Sequence, residues 1–204
     1  MKFAIPYFKQ TTKTNCGPTA LRMALSYFKE DPGIKILEEK TELKKGKGLL
    51  TIKMAMTAKL YGYKVEFDTL HLTLNPENLK LDFYKNFLDN DSETSKNNLE
   101  KARSMGIILN EKSLTLKEIL DKINQNCLAI ILLDWTIILD RQDGQFRGHF
   151  VPISGYDDEF IYVHSPDIEK ENKFLPIKIK TFEKARKSQG TDEDILFIEK
   201  FKPL

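Results

Sequence analysis

The sequence predicts an α+β fold, with helices early in the chain and antiparallel strands late. Three observations carry this. Leu21, Ala24, Leu25 and Phe28 recur at helical spacing, while Ala20, Met23 and Tyr27 fill most of the other side. A helix apolar around most of its circumference is a central one, packed on two sides. Residues 128–133 form a continuous apolar run of strand length. Residues 149–156 and 160–164 are apolar segments joined by Asp157-Asp158-Glu159, a strand–turn–strand pattern.

Taken in order, residues 1–8 read as a short strand or extended arm. The first helix starts just after Cys16, where Pro18 suits a first helical turn that has no use for its missing N–H. Asp31-Pro32-Gly33 is a turn. Residues 34–43 and 50–61 read as helices separated by the basic loop Lys44-Lys45-Gly46-Lys47-Gly48, and 63–67 as a strand. Residues 68–112 are the least regular stretch. Asn, Lys, Asp and Glu dominate it, and 89–98 read as a solvated loop, so we expect a helical or irregular insertion there. Residues 116–124 are an amphipathic helix, 140–148 a loop, 177–179 and 195–201 strands, and 182–187 a short helix. The expected organisation is a single domain over 1–204.

Composition excludes several function classes. With 32 basic and 30 acidic residues the net charge is +2, so no strong field draws nucleic acid or an anionic membrane. Of the cations 27 are Lys and 5 are Arg, a poor choice for reading phosphates or bases. The longest apolar run, 128–139, contains Asp134 and is too short to cross a bilayer. The N-terminus lacks a signal-length apolar stretch. Cys16 and Cys127 lie far apart, with no zinc spacing and no disulfide framework. The reading is a cytoplasmic chain with free thiols, no cofactor and no metal.

The chemistry-bearing candidates are few. Cys16 stands at the head of the central helix, where unpaired N–H groups and the positive end of the helix dipole favour thiolate. Gly17 lets backbone approach a ligand. Gln10, six residues upstream, is placed to donate to an oxyanion beside the Cys16 N–H. Of His71, His149 and His164, only His149 begins an apolar strand after a glycine-bearing loop, 133 residues beyond the thiol. A nucleophilic cysteine takes its base from such a sequence-distant position. An odd turn around Asp157 would set His149 opposite Ser165. The serine oxygen can fix the imidazole tautomer but offers no charge to imidazolium. Asp167, two residues on and on the same face, is the alternative partner for the imidazole, directly or through water. Trp135 reads either as a core anchor or as a liner of the substrate groove, Cys127 as a core thiol, and His164 as structural.

The segments QTTKTNCGPTALRMALSYF and GHFVPISGYDDEFIYVHSP together resemble papain-like cysteine peptidases, specifically freestanding relatives of the double-glycine leader peptidases of bacteriocin export. Their Cys-to-His spacing also falls within the roughly 130–150 residues found in papain-type proteases. The resemblance implies a papain-like cysteine peptidase fold, with the central N-terminal helix packed on a C-terminal antiparallel sheet. It implies Cys16 as nucleophile, His149 as base, Gln10 as oxyanion donor and a peptide or protein substrate. One position departs from the pattern: Ser165 stands before Pro166 where an Asp or Asn is expected. Two alternatives stand beside hydrolysis: acyl transfer at the same site, which the resemblance allows, and a catalytically silent binding module, which the Ser165 departure motivates.

Overall fold

The computed structural model describes residues 1–87 and 92–200. Its first helix, α1 (Cys16–Tyr27), shows why burial rather than local signals fixes the fold. It has no side-chain cap and no acidic residue in its first turn. Yet Leu21, Met23, Ala24 and Leu25 are fully buried. Each large side chain among them contributes roughly 1.5–3 kcal/mol by leaving water, more than a cap of about 1 kcal/mol.

α1 packs on α2 (Ile34–Lys40), on α3 (Thr51–Leu60) and on a sheet whose central strands are β3 (Cys127–Asp134) and β4 (Gly148–Tyr156). All eight β3 residues are buried. The remaining strands are β1 (Lys64–Thr69), β2 (Ile108–Glu111), β5 (Phe160–Ser165), β6 (Asn172–Lys178) and β7 (Ile195–Glu199). Among the described residues they form one seven-stranded sheet, ordered β2-β1-β7-β3-β4-β5-β6. Only β1 and β2 pair in parallel; every other pairing is antiparallel. This is the expected α+β fold. β1 and β2 are the exception to helices first and strands last, joining the sheet beyond β7.

The irregular stretch is more ordered than its composition suggests. It holds a 3₁₀ turn (Asn78–Lys80), α4 (Asp82–Phe87), α5 (Ser92–Ser104) and the edge strand β2. Leu99 and Ala102 bury one face of α5, which packs on α3. The loop expected over 89–98 is thus helix from residue 92 on, and its first residues lie outside those described. So does the end of the strand expected over 195–201. α6 (Leu116–Lys122) starts with a capping box: Thr115 accepts from Glu118 N, and Glu118 accepts from Thr115 N. A short helix α7 (Trp135–Ile138) follows β3 directly, and α8 (Ile179–Arg186) packs on it and on β3. No helix among the described residues is long and apolar enough to cross a membrane.

The N-terminal arm is stitched to β4. Phe3 N donates to Ser154 O at 2.8 Å, and Lys2 bridges Gly155. The arm passes so close that a Cβ on Gly155 would lie 2.5 Å from the Met1 carbonyl. Gly155→Ala should therefore lose about 1–3 kcal/mol, the cost of overpacking. Urea unfolding checks this, and an unchanged midpoint would show that the arm does not depend on that approach.

Candidate active site

Cys16 is the first residue of α1 and is half-buried. Asn15 before it is fully buried. Its side chain turns back into the preceding loop, accepting from Thr11 N and Thr12 N at 3.1 Å and donating to Glu38 at 2.6 Å. Because Asn15 does not cap the helix with its side chain, the first-turn N–H groups stay available. The backbone N–H groups of Phe150, Gly17 and Cys16 all favour thiolate. Burial outweighs them and pushes the thiol up from its ordinary value. The helix start alone suggested a lowered thiol; the enclosure of the site by β4 reverses that. Cys127, buried at the start of β3, has its thiol pushed up to about 12 by burial.

His149 lies on β4, paired with Leu133 of β3. Its Nε2 is 3.0 Å from Ser165 Oγ, and its ring sits 4.5 Å from that of Trp135. Burial pulls the imidazole down to about 4, only partly opposed by the negative charge of Asp167. The His149–Ser165 contact arises by a different route from simple cross-strand pairing. The odd turn would put Ile153 opposite Ile161; instead Ile153 pairs with Val163, and a bulge follows before Gly155 pairs with Tyr162. Ser165 thus reaches His149 diagonally along the sheet. Its backbone is fixed separately, since the Tyr7 hydroxyl donates to Ser165 O at 3.0 Å and the Asp167 N–H donates to it at 2.8 Å.

Cys16, Gly17, Trp135 and His149 line one cavity of about 340 Å³. Its walls are mostly apolar, from Leu49, Leu50, Phe83, Leu132 and Phe150, with Lys13, Arg147 and Asp194 adding charge. Two of the residues picked from sequence stand elsewhere. Gln10 lies beside Pro166, its N–H donating to Pro166 O at 3.2 Å; its Oε1 is buried without a hydrogen-bond partner. Asp167 lines a second cavity of about 500 Å³, which shares Trp135 with the first. Asp167 Oδ1 accepts from Glu169 N at 2.8 Å, so this carboxylate caps its own loop. His164 is buried, with Nε2 on Ile5 O at 3.1 Å and Nδ1 accepting from Phe174 N at 3.0 Å.

Sequence reasoning missed three residues around the site. Asp134, buried at the end of β3, accepts from Thr136 N and Arg147 N through Oδ1 and from Ser188 through Oδ2. It ties α7, the start of β4 and the segment after α8 to one point. Arg147 is held by Asp143 through two bonds of 2.9 and 2.8 Å. Asp194 accepts from the Thr51 hydroxyl, and burial pushes its carboxyl up to about 7. Only Asp134 carried a signal, as a charge at the end of an apolar run. Among the described residues, no group of His, Cys, Asp and Glu is arranged to hold a metal ion.

The fold recurs in solved peptidase structures of low sequence identity. A double-glycine-motif protease from a peptidase-containing transporter, solved with its leader peptide, superposes with a TM-score of 0.53 at 15% identity, covering 97% of this chain and 94% of that one. A C39-like peptidase of Bacillus anthracis gives 0.55 at 16%, covering 98% and 96%. The peptidase domain of the Streptococcus transporter ComA gives 0.52 at 13%, covering 95% and 97%. Such identities establish the fold, a papain-like α+β peptidase architecture, and no more. Sequence similarity points to another group of proteins. Guanylyl cyclase 1 of Arabidopsis thaliana is 29% identical over 212 residues, covering 95% of this chain and 75% of that protein. The family profile described as guanylylate cyclase matches residues 5–198, and the chain belongs to that family.

Proposed function

We propose that residues 1–204 act as one catalytic unit, a thiol hydrolase that cleaves an amide bond through a thioester. The observation that carries this reading is the His149 Nε2–Ser165 Oγ contact at 3.0 Å, on an imidazole that shares a cavity with Cys16. With Nε2–H given to Ser165, the neutral ring keeps the Nδ1 lone pair for the thiol proton. As sulfur attacks the substrate carbonyl, that proton passes to Nδ1. The Cys16 N–H receives the developing oxyanion, and the Gln10 side-chain amide joins it by turning from beside Pro166 toward the cavity. The imidazolium then protonates the leaving amine, and the C–N bond breaks. His149 next takes a proton from water, which attacks the thioester and releases the acid and the free thiol.

The electrostatics make this an uncharged resting site. Burial disfavours both thiolate and imidazolium, and Ser165 supplies no charge to offset it. The pair ionises only when a substrate carbonyl is present to take up the negative charge.

Family membership supports a second reading, a guanine nucleotide as ligand of the same cavity. Lys13 and Arg147 on its lining, with Trp135, Phe83 and Tyr84, favour it. Transfer on a nucleoside triphosphate ordinarily uses a metal held by carboxylates and cations free for phosphates. Here the cavity carries one carboxyl, Asp194, and Arg147 is already engaged by Asp143. These residues do not fit a metal–triphosphate, and the thiol hydrolase reading stands first.

Cys16→Ala should abolish peptide hydrolysis, and Gln10→Ala should lower kcat by about 10²–10³ with little change in KM. Parallel assays with a peptide library and with GTP decide between the readings; GTP turnover that survives Cys16→Ala, with no peptide cleavage, overturns the hydrolase. Alkylation should modify Cys16 at a rate still rising with pH above neutrality, while Cys127 stays inert. A rate already level near pH 5–6 would reveal a preformed ion pair instead. Ser165→Asp places a carboxylate at Nε2, which favours imidazolium and raises the His149 pKa. The acid limb of the kcat/KM profile should then move up from near pH 4 by a unit or more.

A further inference from the structure

The segment that carries Asp194 into the cavity is heavily constrained. Asp192 and Glu193 are consecutive non-glycine residues in the left-handed region, at φ 47° and 53°. Such backbone costs free energy and persists only where its surroundings impose it. Those surroundings are in place. The buried Arg186 binds Glu193 at 2.9 Å and the Leu114 carbonyl at 2.7 Å. The Tyr84 hydroxyl donates to Gly190 O at 2.6 Å, and Leu70 N donates to Asp192 O at 2.7 Å. The carboxyl itself receives the Thr51 hydroxyl, and the Thr69 hydroxyl donates to the Asp192 carbonyl at 3.2 Å.

The result is one carboxyl on the lining of an otherwise mostly apolar cavity that also holds Cys16 and His149. Apolar walls suit a methylene stem, and a lone carboxylate suits a cationic tip. The other charges do not compete for that role. Arg147 is spent on Asp143, and Lys13 is exposed to water, where its field is screened. We propose that Asp194 is the specificity-determining residue of this cavity, and that it selects a lysine or arginine side chain of a peptide whose stem lies along Leu49, Leu50 and Leu132. This rests on the thiol hydrolase reading and adds the substrate class to it. Burial without a cation holds the Asp194 carboxyl near neutrality in its own titration, so a bound ammonium would supply the missing counter-charge.

The test separates binding from chemistry. Full-length Cys16→Ala protein is titrated with synthetic hexapeptides in which each position in turn carries lysine or its uncharged near-isostere norleucine. At one position lysine should bind roughly tenfold tighter or more, the worth of one hydrogen bond to a charged group. Adding Asp194→Asn should bring that ratio close to one without weakening the norleucine peptide, and Asp194→Glu should retain the preference. Equal binding at every position, or a preference that survives Asp194→Asn, overturns the proposal. So does a loss of both peptides alike, with Asp194→Glu failing to restore them, which is what a purely structural carboxyl would give. Wild-type turnover of the norleucine peptides reports separately on the hydrolase. Cys16-dependent cleavage without lysine preference sinks the specificity and leaves the hydrolase. Lysine preference without cleavage sinks the hydrolase and leaves a basic-peptide site.

Discussion

The site depends on α1 being clamped between the sheet and the neighbouring helices. Its first turn runs against β4 so closely that a Cβ on Gly17 would meet Leu49, Met54 and Phe150 at 3.2–3.3 Å. That contact puts Cys16 beside the Phe150 N–H, one residue from His149. Neither capping nor first-turn charge holds the helix there; the burial of Leu21, Met23 and Leu25 does. A core made of ordinary apolar residues therefore determines the distance between the sulfur and the ring. The same enclosure that fixes the distance also removes water from both groups.

Desolvation leaves its mark in opposite senses on the acid and base members of the cavity. His149 is held down to about 4 and Asp194 up to about 7, each toward its neutral form. For the histidine, the unfolded chain binds the extra proton between about pH 6.5 and 4, so its contribution weakens as pH falls through that window. For the aspartate, the folded chain keeps the proton between about pH 4 and 7, so its contribution weakens as pH rises. The two gradients oppose each other across the same range. A cavity containing one buried base and one buried acid is thereby less sensitive to pH than either alone.

Much of this was legible in the chain. The circumference of α1, the apolar run of β3 and the β4–β5 hairpin are read from periodicity, and they are the elements that bring Cys16 and His149 to one cavity. Residues 92–104 escaped because a helix rich in Asn, Lys, Glu and Ser buries only a narrow face, Leu99 and Ala102, and composition hides so thin a stripe. β2 escaped because its partner β1 lies far back in the sequence and the pairing is parallel. The bulge near Ser154 could not be foreseen, since alternation says which face a residue takes but not where a ladder slips. Asp194 sat unnoticed in a short acidic stretch, because only tertiary packing separates it from its solvated neighbours.

The Tyr7 hydroxyl has a consequence for how such a site can change over time. It grips the main-chain carbonyl of Ser165 and also accepts from Asn172 N at 3.2 Å. The placement of position 165 is thus decoupled from the identity of its side chain. Serine, asparagine or aspartate would each inherit the same perch above the imidazole, and the scaffold would be indifferent to the exchange. A fold arranged in this way lets evolution retune proton affinity one residue at a time without renegotiating the architecture around it.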